Sequence, residues 1–208
     1  MSDIKEKLKE MVKETSDEKL LRESKERFLT FDQEKMIQIH GLKHDDQALY
    51  VTFLGQEFRI DRSTAELTFE GRPADSDQMA VIFEWLTKAE IAPVPVGNWK
   101  SIADLCTNTT STELTKYVKR LSPFEENSEA LAAACEKLGG QQEKKADVSY
   151  VIPAFENFPV WFQYWEKDEE FPASVQFLFD ACAPLHFRWA TLWNLMDCIV
   201  NRMLVDLA

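Results

Sequence analysis

Hydrophobic residues recur along this chain in two rhythms, and the switches between them mark the expected elements. The richest apolar stretch is a pair of aromatic runs, residues 159–165 and 174–180, joined by the acidic segment 166–173. Aromatic and β-branched side chains suit a pleated, half-buried surface, so both runs read as strands of one hairpin. Val160, Phe162 and Tyr164 share one face of the first run, with Trp161, Gln163 and Trp165 on the other. Along the second, Val175, Phe177 and Phe179 oppose Ser174, Gln176, Leu178 and Asp180. Neither face is polar throughout, so the hairpin is expected inside a covered sheet rather than at its rim.

A period of two also predicts strands over residues 36–40, 49–53, 58–61 and 66–69, with Gly55 stopping the second. Short connections between them argue for an antiparallel meander. The helical period appears elsewhere. Ile4, Leu8, Met11 and Val12 predict one helix, and Leu20, Leu21, Ser24 and Phe28 a second, capped by Thr15 or Ser16. Asp75 or Ser76 opens a helix to about residue 89, with Met79, Ile82, Phe83 and Leu86 inward and Pro93 and Pro95 beyond it. Leu114, Tyr117, Val118 and Leu121 mark a short helix. Another starts at Asn127 or Ser128, buries Leu131, Cys135 and Leu138, and stops at Gly139. Residues 99–105 read as extended or loop, 141–146 as a linker, and 181–187 as a loop. Val148, Tyr150 and Ile152 open the last block. The final helix, with Leu192, Leu195, Met196, Ile199 and Met203 on one stripe, carries the clearest helical signal. The expected fold is α+β, with an antiparallel sheet of meander plus hairpin packed on several helices. An N-terminal helical arm, residues 1–30, precedes one domain, residues 31–208.

Composition narrows the setting. At 208 residues, 45% hydrophobic and 12% aromatic, the chain can fill a core and suits one domain with an added helical segment. Acidic residues outnumber basic ones 36 to 24. Residues 1–30 are balanced, so the net charge of −12 falls wholly in 31–208. That surface repels phosphate backbones and argues against nucleic acid as a partner. No apolar run approaches the roughly 20 residues that cross a bilayer, and the Lys/Glu-rich start lacks a signal peptide's apolar block. A soluble cytoplasmic protein is expected, without a membrane partner. Cys106, Cys135, Cys182 and Cys198 are widely spaced, which disfavours structural zinc and cysteine-ligated iron–sulfur clusters.

The run Trp165-Glu166-Lys167-Asp168-Glu169-Glu170-Phe171-Pro172-Ala173, followed by Leu178-Phe179-Asp180 and an apolar C-terminal helix, resembles a known family. It is similar to domain of unknown function 3786, a group of uncharacterised prokaryotic proteins found largely in anaerobes. The resemblance covers about residues 30–205 and leaves the N-terminal arm outside. It implies a fold and brings no established activity.

Two groups of residues are candidates for chemistry. Asp168, Glu169 and Glu170, with Glu166 beside them and Asp180 across the hairpin, form the dense carboxylate group. Converging oxygens could hold a divalent cation, or crowded carboxylates could supply a general acid or base. The alternative is turn chemistry, in which Asp168 or Glu170 caps backbone amides and Asp180 ends a strand. His186 could be oriented by Asp180, as imidazoles are at metal and base sites. Cys182, between them, reads as a small packed thiol, and His40 and His44 as surface histidines. Trp161, Trp165, Trp189 and Trp193 are candidate pocket aromatics, with ordinary core as the competing reading. No glycine-rich phosphate loop occurs, so nucleotides have no support and no cofactor is identified. The leading function is a non-enzymatic binding or accessory module whose acidic connector and aromatic hairpin meet a protein or small ligand. The rival is a metal-dependent or acid–base enzyme using Asp168, Glu170, Asp180 and His186. A third reading makes the arm a homo-oligomerisation element.

Overall fold

The computed structural model describes residues 16–105 and 114–205. The first predicted helix, over Ile4 to Val12, and Cys106 lie outside them. Eight helices and two five-stranded antiparallel sheets make up the described residues, an α+β fold. Helices α1 (Ser16–Thr30) and α2 (Gln33–His40) lead into the first sheet, a meander ordered β1-β2-β3-β4-β5. Its strands are β1 (Lys43–His44), β2 (Ala48–Phe53), β3 (Gln56–Asp61), β4 (Leu67–Phe69) and β5 (Arg72–Pro73). Residues 53 and 56 are paired, so the β2–β3 turn has two central residues, Leu54 and Gly55. Both have positive φ, the conformation whose twist matches that of the flanking strands.

The segment 36–40, expected as a strand, is the second half of helix α2. Asp32 accepts hydrogen bonds from the amides of Glu34 and Lys35, and Gly41 closes the other end in the left-handed conformation. Those caps fix the helix at both ends and outweigh the β-branched Ile37 and Ile39, whose strand preference is weak.

Helix α3 (Ser76–Lys88) forms the centre of the molecule. Asp75 and Gln78 make a reciprocal capping box at its start. Residues 80–87 are buried without a break, because α1 and α8 (Trp189–Leu204) pack on it along with α2 and α7 (Ala183–His186). A helix buried all round has no polar face to read, so only part of its inward surface shows in the sequence. Phe28 of α1 is fully buried, its ring 5.3 Å from that of Phe83.

The second sheet runs β6-β10-β9-β8-β7. Its strands are β6 (Trp99–Ser101), β7 (Gln141–Gln142), β8 (Val148–Phe155), β9 (Phe158–Trp165) and β10 (Ser174–Asp180). The aromatic hairpin β9–β10 lies inside the sheet, with β8 and β6 at its flanks. Its inner face carries the buried Val160, Phe162, Tyr164, Val175, Phe177 and Phe179, and its outer face is half-exposed. Residues 99–105 divide into β6 and the single-turn helix α4 (Ile102–Leu105). The predicted linker 141–146 instead begins with β7, which adds an edge strand to β8. Residues 181–187 contain α7, with Pro184 in its first turn, where the missing N–H has no intrahelical use. Helices α5 (Thr115–Arg120) and α6 (Ser128–Lys137) pack on the second sheet, against β10 and β8 respectively. Gly139 ends α6 at φ +77°.

Candidate functional site

The residues singled out in the sequence do not form one centre. Asp168 accepts from the amides of Glu170 at 2.8 Å and Phe171 at 2.7 Å, and so fixes its own turn. Lys167 pairs with Glu125 at 2.6 Å, while Glu169 and Glu170 point into solvent. Asp180 lies at the other end of β10, roughly 20 Å away for a strand of that length. The hairpin therefore separates the carboxylates that were expected to converge. Asp180 is buried and accepts three backbone amides, Val96 at 3.0 Å, Gly97 at 2.7 Å and Cys182 at 3.0 Å. Burial pushes its pKa up, but the amides outweigh it and hold the carboxyl below the ordinary value. It does not bond His186, as expected from sequence; the Nδ1 of His186 is buried without a partner. Among the described residues, no group of three or more His, Cys, Asp or Glu is placed to hold a metal ion.

The four tryptophans are equally dispersed. Trp161 and Trp165 sit half-buried on the outer face of the second sheet, where Trp161 donates to Ser149 Oγ at 3.0 Å and meets Trp99 edge-on. Trp193 stacks parallel to Tyr117. Trp189 is 56% exposed at the start of α8. The described thiols are held protonated. Burial raises Cys135 and Cys198, and burial together with the Asp180 hydrogen bond pushes Cys182 up to about 12.

Another group does converge. Trp85, on α3, is the hub of an aromatic cluster joining both sheets. Its ring stacks on Phe155 at 4.5 Å and 11°, and lies 5.0 Å from His40, 5.3 Å from Phe158 and 5.3 Å from His186. Phe155 in turn stacks on Phe53 at 4.8 Å, and the Leu54 amide donates to the Ala154 carbonyl, which fastens the two sheets here. Beside this cluster opens a cavity of about 400 Å³. Trp85, Phe155 and His40 line it on the apolar side, and Tyr50, Lys43 and Asn157 on the polar side.

The expected surface position of His40 is corrected by the helix that carries it. Both its ring nitrogens are buried without a well-formed hydrogen bond, the Leu86 backbone being a weak partner, whereas His44 is exposed. Burial, followed by the neighbouring His186, lowers the His40 pKa to about 4. His186 is lowered too, by burial and then by Lys88. Both imidazoles are therefore neutral at pH 7. Buried polar atoms are nearly always well paired, so an imidazole this weakly paired at a cavity wall calls for a reason.

A family comparison matches residues 32–202 to the family described as Domain of unknown function (DUF3786). That span is most of the chain and contains every element from α2 to β10. The chain belongs to the DUF3786 family. No curated protein and no solved structure matches it. The matched span holds His40, Trp85 and Phe155, so the cavity belongs to the DUF3786 region of the chain. Helix α1 lies outside that span, although Phe28 shares its core.

His40 and Trp85 were not among the candidates read from sequence. The Asp32 and Gly41 caps were the signal that would have put His40 on a helix. Trp85 stands beside the Ile82, Phe83 and Leu86 stripe and gives no sign of its role until both sheets are in place.

Proposed function

We propose that this chain is a cytoplasmic, non-enzymatic binding module, and that its ligand site is the cavity beside Trp85. The carrying observation is His40: a neutral, buried imidazole whose one backbone partner, Leu86, is weakly engaged, at the wall of a cavity of about 400 Å³. That volume is in the range of small-molecule sites, which combine an aromatic wall with a few polar groups. The packed Trp85 and Phe155 give the cavity an apolar floor, and a modest turn of the His40 side chain would let it meet a ligand N–H or O–H. Binding is favoured over catalysis because Asp168 and Asp180 are committed to backbone amides and the described thiols are held protonated.

Ligand-observed NMR with flat nitrogen heterocycles such as indole and benzimidazole tests this reading. Binding is expected with the wild-type protein and should vanish in Ala92→Trp, since the exposed Ala92 lines the cavity. Binding that survives Ala92→Trp, or no binding by any probe, refutes it.

A specific observation favours a second reading, in which the acidic connector meets a protein. Phe171 is 66% exposed at the tip of that connector, on a turn that Asp168 holds rigid. Large apolar side chains presented on ordered turns suit docking.

A further inference from the structure

Around the C-terminal end of α3 this acidic chain carries a cluster of cations. Arg27 reaches the Thr87 carbonyl, Lys88 the Pro184 carbonyl, and Arg188 Nε bonds Glu84 at 2.6 Å. Three cations thus gather about one helix end, and they exceed the nearby Glu84 and Glu90. Burial lowers the Lys88 pKa; nearby Glu84 opposes that shift, and Arg188 and Arg27 add to it. Cations at a helix C-terminus serve the last carbonyls. That duty does not account for the apolar side chains among them. Leu185 and Trp189 are each 56% exposed and Leu29 is 43% exposed.

We infer that this basic, apolar patch receives the acidic connector of a second copy of the chain, with Phe171 seated against Leu185 and Trp189. The inference rests on the reading of the connector as a docking element and adds its receptor. The complementarity is twofold. Glu169 and Glu170 supply carboxylates to Lys88 and Arg27, which reach backbone carbonyls while Arg188 already pairs with Glu84, and Phe171 supplies an exposed apolar anchor. The two surfaces cannot meet within one molecule. The connector precedes β10 and the patch follows it, so the strand holds them roughly 20 Å apart. Contact between a patch on one copy and a connector on the next is head-to-tail, and such contacts propagate into rings or open chains. The contact area is small, so exchange is fast and the assembly grows with concentration.

Sedimentation velocity of three proteins decides the matter. One is wild type. One lacks the patch (Leu185→Asp with Trp189→Ala), and one lacks the connector surface (Phe171→Ser, Glu169→Lys and Glu170→Lys). All five substitutions are at exposed positions, and circular dichroism confirms the folds. Wild type is expected to form species larger than a monomer, weakened at least about tenfold between about 0.05 and 0.5 M salt as exposed charges are screened. Each variant alone should be monomeric. Mixed, they should give a 1:1 pair and nothing larger, because one intact patch and one intact connector remain. A monomeric wild type up to about 1 mM, or a mixture that does not pair, overturns the inference. If the patch variant still associates and the connector variant does not, the connector docks elsewhere and only the patch assignment falls. If the connector variant associates like wild type, the reading of the connector falls with it.

Discussion

Asp180→Ala tests whether one buried carboxylate organises the loop that borders the cavity. Asp180 accepts the amides of Val96 and Gly97 on the loop after α3, and that of Cys182 at the entry to α7. The same loop contributes Ala92 and Pro93 to the cavity wall. Hydrogen bonds to a charged group are each worth about 1.5–3 kcal/mol, but the exposed Val96 and Gly97 amides regain water when the carboxylate is removed. Removing the carboxylate also recovers part of its burial cost. The expected net loss is about 2–4 kcal/mol, and Asp180→Asn, which keeps one acceptor oxygen, should lose about half of that. Urea denaturation at pH 7 measures both. Hydrogen exchange should show protection lost at Val96 and Gly97 while the β9 amides keep theirs. The sign with pH follows from the lowered pKa. The contribution is full above the unfolded value and fades as pH falls through the folded one, so wild type and Asp180→Ala should converge in acid. A loss under about 0.5 kcal/mol, or unchanged exchange at the two loop amides, would refute the reasoning.

Other outcomes follow from the same geometry. The folded state holds His40 at about 4 against an ordinary 6.5, so the unfolded chain takes up the proton first. Stability should therefore fall between about pH 6.5 and 4, by about 2–3 kcal/mol from this residue. His40→Gln should flatten that slope in urea midpoints taken across the range, and an unchanged slope would contradict the burial of the ring. Phe28→Ala removes a fully buried ring packed on Phe83 and should cost about 3–5 kcal/mol in thermal or urea unfolding. A loss below about 1 kcal/mol would mean that α1 contributes little to the core.

The α+β composition, the meander, the aromatic hairpin and the helices that start near Asp75 and Asn127 were legible in the pattern along the chain. In these elements the period, the caps and the two-residue turns agree, so local preference and tertiary packing select the same conformation. The sequence also carried the run through Asp168 to Asp180 that resembles the DUF3786 family. Where local signals conflicted, it misled. Residues 36–40 look β-branched and alternating, yet the Asp32 cap and Gly41 stop make them helical. Residues 141–146 look like a linker, yet β8 recruits Gln141 and Gln142 as an edge strand, because a neighbouring strand's free amides and carbonyls give backbone hydrogen bonds to any extended segment. The candidate site exists only once the elements are packed together. Asp168 and Asp180 are close in sequence and separated by the length of a strand, whereas His40, Trp85, Phe155 and His186 are distant in sequence and meet around the Trp85 ring. Side-chain convergence of that kind depends on the relative placement of whole elements, and neither spacing nor composition along one chain encodes it.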